Sequence, residues 1–392
     1  MISFEEAYER AMTAVRTMPS EKVDLPESLH RILAEEVCAD IPMPPYDKAM
    51  VDGFACLRAD LGQSLKILET IGAGYVPKEE VVSGTATRIM TGAMVPEGAD
   101  CVFMVEHSEV SDTEEVTFTG ERTNDNISLK ASDINAGDAL LQPGHRILPA
   151  DVAVLASMGY AKVSVARRPR IGVIATGDEL VEPHVKPGPS QIRNSNGYQV
   201  CAQVNAMGCV GEYRGIGLDN KESLAEIVGS AVDECDVVLI SGGVSMGEFD
   251  YVPDIFRQHG IEIQFDRVAI QPGKPTTFAM NDSVFCFGLP GNPVSTYTIF
   301  ELVVKPFIFA MMGHSFEPPR IRMPLGMDLK RKFGARPAWV PVVATAEGTI
   351  NRIDYHGSAH INALSHADGM ILFPEGETEL KKGTLIDVRL TK

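Results

Sequence analysis

Three short loops carry most of the residues that could do chemistry, and each follows an apolar run of strand length. The loops are Thr176–Leu180, Ser241–Asp250 and Leu289–Ser295. Their glycines let backbone N–H groups approach a phosphate closely, and their carboxylates are suited to hold a metal ion or to hydrogen-bond the amino edge of a heterocycle. The residue types therefore predict a site for a phosphorylated, anionic ligand.

Each loop also has a plain structural interpretation, which stays open at this point. Thr or Asp directly after a strand commonly starts a helix, so Thr176–Leu180 could be a cap and turn. The loop Ser241–Asp250 lacks the Lys-Ser/Thr ending of a P-loop and does not fit G-x-G-x-x-G, so it could be a tight turn. Ser295 is placed to cap a helix that begins near Thr296. Lys274, on a proline-rich turn upstream, could be a solvated loop tip.

The elements around these loops predict an α/β domain between Arg170 and about Phe309. Three apolar runs are each followed by a glycine-containing loop and then a helical stretch, and these runs are Ile171–Ala175, Val237–Ile240 and Val284–Leu289. Repeated strand, loop and helix units predict a parallel, doubly wound sheet. Ligands bind such sheets outside the carboxyl ends of the strands, so we expect the three loops to share one crevice.

The rest of the 392-residue chain predicts further domains. Helical spacing after Ser3, with Glu6 three residues on, predicts an opening amphipathic helix over residues 3–18. Short β-branched runs over about 66–142 predict a small β module. A helical run led by Pro149 could return the chain to the first domain. Alternation beyond the prolines at 318 and 319 predicts a C-terminal β domain.

We therefore predict a multidomain fold of class α/β plus β. It contains a doubly wound, mostly parallel α/β domain, a small β module inserted near the N-terminus, and a C-terminal β domain. The expected bounds are 1–45 with 140–168 for an N-terminal linking domain, 46–139 for the inserted β domain, 169–315 for the α/β domain and 316–392 for the C-terminal β domain.

The charge of the chain excludes two classes of function. Asp and Glu number 53 against 35 Lys and Arg, and the formal net charge of −18 repels nucleic acid and anionic membrane surfaces. A phosphate site must therefore rely on local backbone N–H groups, a few Lys or Arg, or a bridging divalent cation. The seven scattered cysteines include no C-x-x-C pair, which indicates reduced thiols.

Targeting signals are not evident in the sequence. The N-terminus has acidic residues where a signal peptide needs a basic start, and we find no apolar stretch near the roughly 18 residues of a membrane span. We expect a cytoplasmic protein.

Seven segments, taken in order, resemble the molybdopterin molybdenumtransferase family, which comprises the MoeA-type proteins and the gephyrin E domain. Three of them are Ser241-Gly-Gly-Val-Ser245, Pro272-Gly-Lys-Pro275 and Pro290-Gly-Asn-Pro-Val-Ser295. The others are Asp52–Ala55, Arg88–Ala93 with Gly98–Asp100, Thr176–Leu180 and Ser195-Asn196. The resemblance extends along nearly the whole chain, so coincidence is implausible.

The resemblance implies that molybdate is inserted into adenylylated molybdopterin, with cleavage of the adenylate and a Mg²⁺-type cation at the phosphates. It implies catalytic roles for Asp52, Thr91, Glu179, Asp219 and Asp250. It implies that the pterin nucleotide is bound by Ser241, Gly242, Gly243, Ser245, Gly247, Lys274, Pro290, Gly291, Asn292, Pro293 and Ser295. It implies metal or metalate binding by Asp219, Asp250, Arg267, Lys274, Arg336 and Ser358.

Partners follow from the same resemblance. Asp52 and Thr91 lie outside the α/β domain, so if they act at its site they do so across a domain or subunit boundary, which favours a homodimer. The adenylyltransferase of the same pathway is a further candidate partner, and no nucleic acid or membrane is expected.

Two departures from the family pattern are visible. Where the family usually has K-x-x-x-K-P-G-K-P, this chain has Arg267 at the first Lys and Gln271 at the second, and it keeps Lys274. Arg can bind an oxyanion through its planar fork, whereas Gln contributes no charge, so the choice between molybdate and tungstate stays open. The family's G-E-D-I is here Ala131-Ser-Asp-Ile134.

Two other functions are weighed against this one. A molybdopterin adenylyltransferase would share the glycine-rich loop, but the extra β module and the C-terminal domain argue against it. A non-catalytic pterin-binding scaffold is the third hypothesis, and no scaffold linker or second enzymatic domain is visible. His356 and His360 are four apart, but without a third ligand they indicate a surface loop rather than a metal site.

Overall fold

The computed structural model describes residues 1–243, 251–354 and 357–391, and the chain divides into two compact units. The first unit comprises Met1–Ala34, Pro143–Pro149 and Lys162–Lys392. The second comprises Glu35–Gln142 and Ala150–Ala161.

Up to Ala166 the chain is mostly β. Its elements are α1 (Phe4–Thr13), β1 (Ser20–Asp24), β2 (Val37–Cys38), β3 (Lys48–Ala49), β4 (Gly53–Cys56), β5 (Ser64–Ile71), β6 (Thr85–Ile89), β7 (Cys101–Met104), β8 (Ser108–Val110), β9 (Glu115–Phe118), β10 (Ile127–Ser128), β11 (Ala139–Leu141), α2 (Pro149–Ser157) and β12 (Lys162–Ala166).

Helix α1 begins as predicted and ends earlier. The Ser3 Oγ accepts the Glu6 N–H at 3.0 Å, which satisfies one of the free donors of the first turn. The helix stops at Thr13 rather than continuing to residue 18. Beyond it the Met18 N–H donates to the Met311 carbonyl at 2.7 Å, so tertiary hydrogen bonding replaces the last helical turn.

The second unit is built on one mixed sheet with the strand order β7-β4-β6-β5-β9-β8. All neighbours are antiparallel except β5 and β6. Its inward face buries Phe54 and Phe103, whose rings stack with centroids 5.5 Å apart. This sheet is the β module that the β-branched runs predict.

The segment from Arg170 to Met311 alternates strands and helices. Its elements are β13 (Arg170–Thr176), β14 (Leu180–Val181), β15 (Ile192–Arg193), α3 (Asn196–Ala206), β16 (Val210–Gly217), α4 (Lys221–Glu234), β17 (Val237–Ser241), α5 (Val252–Gln258), β18 (Glu262–Phe265), β19 (Thr277–Met280), β20 (Phe285–Leu289), α6 (Pro293–Ile299) and α7 (Lys305–Met311).

The central sheet of this segment has the order β16-β13-β17-β20-β19-β18, and its first four strands run parallel. Only β19 runs against them. Apolar side chains cover both faces, with α4 and α5 on one side and α3, α6 and α7 on the other. The predicted doubly wound, mostly parallel α/β domain is confirmed.

Two local expectations in this domain are wrong. Strand β13 is followed by the short strand β14 and not by a helix, because Glu179 and Val181 pair with the segment around β15. Helix α6 begins at Pro293, whose fixed φ suits the first helical position, and Asn292 occupies the N-cap. Ser295 therefore lies buried in the first turn and does not cap the helix.

Within the described residues, one helical stretch is long and apolar enough to cross a membrane by length and composition alone. A π-helical turn joins α6 to α7, so that Pro293–Met311 runs for 19 residues with a mean hydropathy of 1.4. Of that stretch 83% is buried inside the protein, which is typical of a core helix.

The C-terminal segment forms a β domain, as predicted. Its elements are β21 (Arg320–Pro324), β22 (Leu329–Lys330), β23 (Ala338–Ala344), β24 (Ile350–Arg352), α8 (Asn362–His366), β25 (Gly369–Phe373), β26 (Glu379–Leu380) and β27 (Leu385–Leu390). Antiparallel pairing gives the sheet order β21-β27-β25-β23-β24 over a core that includes Ile371 and Phe373.

Candidate active site

The three loops that follow β13, β17 and β20 line one cavity at the carboxyl ends of these strands. Ala175 pairs with Ser241, and Ser241 pairs with Leu289, so the strands end at the same level. The cavity has a volume of about 600 Å³ and is also lined by residues 192–196 and by Asp219. This volume lies in the range of small-molecule and cofactor sites.

The glycine-rich loop packs directly against the end of β13. Gly242 and Gly243 have φ angles of +92° and +60°, which favour glycine. A Cβ on Gly242 would lie 2.5 Å from the Thr176 carbonyl oxygen, and one on Gly243 would lie 2.6 Å from the Thr176 hydroxyl. Both glycines are therefore required for this close approach.

Thr176 presents a buried hydroxyl beside the glycine-rich loop. The residue is 4% exposed and lines the cavity. Within the part of the chain that the structure describes, its Oγ1 has no hydrogen-bond partner. A buried hydroxyl without a partner costs free energy, and a ligand in the cavity could supply the missing bond.

Carboxylates gather on the first-loop side of the cavity. The Asp219 N–H donates to Asp178 Oδ1 at 2.9 Å. Glu179 folds back over Gly177, where an added Cβ would lie 2.5 Å from Glu179 Oε2. Burial and the negative charges of Asp178 and Glu179 raise the pKa of Asp219. Glu179 and Asp219 therefore place negative charge in the cavity, which Arg193 also lines.

The predicted cation-site residues are only partly brought together. Over residues 1–243, 251–354 and 357–391, no group of three or more His, Cys, Asp or Glu side chains is arranged to hold a metal ion. Asp219 and Glu179 both line the cavity. Ser245, Gly247 and Asp250 were also predicted as site residues, and they lie outside the described residues.

The third loop is held close to the second. The Gly242 N–H donates to the Leu289 carbonyl at 3.1 Å, and the Thr296 hydroxyl donates to the Pro290 carbonyl. Pro290, Gly291, Asn292 and Pro293 all line the cavity, together with Ser241, Gly242 and Gly243. The structure thus collects most of the predicted nucleotide-binding residues on one surface, although Ser295 and Lys274 do not line the cavity.

The predicted metalate-binding residues Arg267, Lys274, Arg336 and Ser358 do not line the cavity. Arg336 donates from Nη1 to the Ile270 carbonyl at 2.9 Å, next to the exposed Gln271 and three residues from the exposed Lys274. The Ser358 carbonyl accepts the Val294 N–H at 3.0 Å, at the start of α6. Arg267 is half-buried, and its carbonyl accepts the Ile2 N–H at 3.1 Å.

Asp52 and Thr91 belong to the second unit and are bonded to each other. Asp52 Oδ1 accepts the Thr91 N–H at 2.6 Å and the Thr91 hydroxyl at 2.7 Å. The backbone and hydroxyl donors of Thr91 hold the pKa of Asp52 below its usual value. The carboxylate is thereby kept ionised and oriented at the start of β4.

Several polar residues that line the cavity were missing from the predicted site residues, among them Thr176, Arg193, Asn194 and Asn196. Asp178, which was also missing, contacts Asp219. The sequence signal for Asn196 was the pair Ser195-Asn196, which resembles a family motif but does not by itself indicate contacts with other loops.

Comparison with protein-family models identifies the class to which this protein belongs. Residues 172–310, which contain all three loops, match the family model of a probable molybdopterin binding domain. Residues 2–159 match the MoeA N-terminal region, domains I and II, and residues 323–391 match the MoeA C-terminal region, domain IV. The fold and the cavity therefore define a molybdopterin-binding protein of MoeA architecture.

Full-length relatives complete the identification. The molybdopterin molybdenumtransferase of Staphylococcus epidermidis is 39% identical over 406 residues, which cover 100% of this chain and 96% of the relative. That of Staphylococcus aureus is 38% identical over 403 residues, with the same coverage. A crystal structure of a molybdopterin biosynthesis MoeA protein from Pyrococcus horikoshii covers 100% of both chains with a TM-score of 0.84 and 27% identity. Another from that organism has a TM-score of 0.82 and 32% identity, covering 100% of this chain and 99% of the other.

The chain belongs to the MoeA family of molybdopterin molybdenumtransferases and is an enzyme of molybdenum cofactor biosynthesis. The family, the fold class and the enzymatic function predicted from the ordered motifs are confirmed.

Proposed function

We propose that this enzyme inserts molybdate, or tungstate, into adenylylated molybdopterin and releases AMP. The observation that carries the proposal is the cavity of about 600 Å³, which Ser241, Gly242 and Gly243 of the glycine-rich loop line together with the carboxylate residues Glu179 and Asp219. Backbone N–H groups next to glycines suit the phosphates of a nucleotide, and the carboxylates suit a cation that bridges to them.

The carboxylates present fit a Mg²⁺-type cation. Mg²⁺ is commonly held by one or two carboxylates together with substrate phosphates and water, so Asp219 and Glu179 suffice as protein ligands when the substrate is bound. The raised pKa of Asp219, caused by burial and neighbouring negative charge, supports a site that gains from a cation. Such a cation would neutralise charge on the phosphates during cleavage.

The protein's own contribution is positioning and electrostatics. Gly242 and Gly243 admit the phosphates, and the Thr176 hydroxyl offers a hydrogen bond beside them. For the metalate we propose Arg267, Lys274, Arg336 and Ser358. Since Gln271 carries no charge where the family has Lys, we propose a weaker or altered preference between molybdate and tungstate.

We further propose a cytoplasmic homodimer in which Asp52 and Thr91 act on the site of the α/β domain. Two observations support a role for Asp52: its oriented hydrogen bonds to Thr91 and the lowered pKa of its carboxyl. We also propose the four-domain division at 1–45 with 140–168, 46–139, 169–315 and 316–392, and the adenylyltransferase of the pathway as a partner.

The decisive experiment is incubation of the enzyme with adenylylated molybdopterin and Mg²⁺, with molybdate, with tungstate or with neither. We expect metalate-dependent AMP release and retention of the metal on the pterin. If neither metalate promotes AMP release, the insertion hypothesis fails. ATP-dependent formation of the adenylate by the same preparation would instead favour an adenylyltransferase.

A variant tests the cavity directly. Asp219→Asn removes one cation ligand without changing side-chain size, and we expect AMP release to fall by about a hundredfold or more. Asp233→Asn, on the exposed side of α4, is the matched control and should keep full activity. Equal activity of both variants would remove Asp219 from the mechanism.

A further inference from the structure

Asn196, the first residue of α3, contacts two of the three cavity loops at once. Its Nδ2 lies 2.8 Å from Ser241 Oγ and 2.7 Å from the Gly291 carbonyl oxygen. A third, longer contact of 3.4 Å reaches Thr296 Oγ1. One amide group thus connects the end of β17, the third loop and the first turn of α6.

The chemistry of these partners determines the orientation of the amide. A carbonyl oxygen only accepts, so the atom facing Gly291 must be the amide nitrogen. Its two hydrogens match the two short contacts. An alanine offers no donor here, and an ionised aspartate would place a negative oxygen against the Gly291 carbonyl.

Asn196 contacts the Gly291 carbonyl, and other hydrogen bonds hold the residues on either side of Gly291. Those of Gly242 and Thr296 hold Leu289 and Pro290, two and one residues earlier in the chain, and the Thr296 N–H donates to the Asn292 carbonyl at 3.0 Å. Gly291 itself is exposed, and a Cβ on it would lie 3.9 Å from Gly242 Cα. The two loops therefore approach each other at Gly242 and Gly291, and the Asn196 amide lies beside this point and contacts Gly291.

The start of α3 is also held by residues other than Ser241 and Gly291. Asn194 is 2% exposed, and its Oδ1 accepts the Gly197 N–H at 3.0 Å. Its Nδ2 donates to the Tyr213 hydroxyl at 2.7 Å, and that hydroxyl donates to Glu182 at 2.7 Å. The hydrogen bonds of Asn194 therefore fix the backbone that carries Asn196.

We propose that Asn196 is a positioning residue, which holds Ser241 and Gly291 at the separation that the nucleotide part of the substrate requires. This role rests on the proposed function, because it concerns the same cavity. It assigns to Asn196 no contact with the reacting atoms.

The experiment compares Asn196→Ala and Asn196→Asp with Asn205→Ala, which removes an asparagine that accepts the Gly211 N–H at 3.1 Å near the other end of α3. Measured quantities are KM and kcat for AMP release, the affinity for adenylylated molybdopterin from pterin fluorescence, and the melting temperature. We expect the KM of both Asn196 variants to rise about tenfold to a hundredfold, with a smaller change in kcat. Asn205→Ala should keep the wild-type KM.

A pH series separates positioning from general damage. The introduced carboxyl of Asn196→Asp can donate to Gly291 only when protonated, so its KM should approach the wild-type value as the pH falls, while that of Asn196→Ala should not. Loss of folded protein would lower kcat in proportion and leave KM unchanged, and that result overturns the proposal. So does an unchanged affinity in both variants.

A failure of the proposed function can be distinguished from a failure of the proposal about Asn196. If the wild-type enzyme releases no AMP with either metalate, the proposed function fails, whereas the inference about Asn196 is still decided by the affinity for adenylylated molybdopterin. Asn196→Asp is close to isosteric and serves if Asn196→Ala does not fold.

Discussion

Two hydrogen-bond donors of Thr91 favour the ionised form of the Asp52 carboxyl. Thr91 supplies both its N–H and its hydroxyl to the same oxygen, and these bonds favour the ionised form, so the pKa of Asp52 is lowered. For a carboxyl whose pKa is lowered on folding, the associated stability is present above the unfolded pKa and is lost as the pH falls through the folded pKa.

Thr91→Val tests this pair. The variant removes the hydroxyl and keeps the N–H, so we expect the pKa of Asp52 to rise part of the way towards its usual value. If Asp52 acts as an ionised group, the acid limb of the pH profile of AMP release then moves to higher pH. Carbon-13 NMR titration of the Asp52 carboxyl measures the shift directly. Thr91→Ser is the control and should leave the pKa low; an unshifted pKa in Thr91→Val contradicts the assignment.

Ala131 stands where the family usually has Gly, and its backbone has a φ of +60°. The left-handed conformation costs an L-residue with a Cβ roughly 1–2 kcal/mol, and glycine avoids this cost while losing more entropy on folding. The loop is nevertheless held, because the Ala131 N–H donates to the Pro44 carbonyl at 3.0 Å. We therefore expect that Ala131, in place of the family's Gly, lowers the free energy of unfolding.

Ala131→Gly should stabilise the protein. We expect a gain of up to about 1 kcal/mol in the free energy of unfolding, measured by urea denaturation. Ala156→Gly, at an exposed position of α2 in the same unit, is the control and should lose about 1 kcal/mol. A loss of stability in both variants would show that φ strain at Ala131 is negligible.

At the scale of elements, the cavity exists because three parallel strands end in register. Thr176, Ser241 and Leu289 stand at the ends of β13, β17 and β20, so the three loops leave the sheet at one edge. The strands are buried on both faces, which explains their continuous apolar sequences. The loops can carry polar and flexible residues because the buried sheet supplies the stability.

Gly242→Ala tests the packing of the glycine-rich loop against β13. Its φ of +92° and the 2.5 Å approach of an added Cβ to the Thr176 carbonyl both oppose a side chain. Gly260 is a matched control, with a φ of +65° and no atom within 4 Å of an added Cβ. We expect Gly260→Ala to lose about 1–2 kcal/mol of stability from φ strain alone and to keep its KM.

Gly242→Ala should lose more stability than Gly260→Ala and should also show a raised KM for adenylylated molybdopterin, because the loop must move away from Thr176. Equal losses and equal KM values in the two variants would mean that the loop accommodates the added methyl group without a shift.

At the scale of the whole molecule, the predicted catalytic residues are divided between two units. Asp52 and Thr91 belong to one, and Glu179 and Asp219 to the other. In a homodimer such residues can meet within one chain or across the subunit boundary. The distinction is experimentally accessible, because the two cases differ in how mixed dimers behave.

Mixing Asp52→Asn with Asp219→Asn after subunit exchange tests the proposed dimer. If Asp52 acts across the boundary, mixed dimers contain one intact site, and an equimolar mixture should recover about a quarter of wild-type AMP release. If Asp52 acts within its own chain, no activity returns. Light scattering should give a mass twice the 42.5 kDa of the chain, and a monomer would contradict the dimer itself.

Several features were determined by local sequence. The apolar runs Ile171–Ala175 and Val237–Ile240 indicated buried strands, because burial on both faces needs an uninterrupted apolar sequence. Ser3 indicated the start of α1, since its hydroxyl reaches only three residues along the chain. The shared crevice was also predicted from the three successive strand, loop and helix units, because parallel topology places their loops at one edge of the sheet.

The tertiary structure alone decided which side chains meet inside that crevice. Asn196 contacts Ser241 and Gly291 across 45 and 95 positions of the chain, and Asp219 contacts Asp178 across 41. Such contacts depend on strand order and register, which local patterns do not specify. For the same reason the sequence predicted an anionic-ligand site at these loops but did not reveal the asparagine that joins two of them.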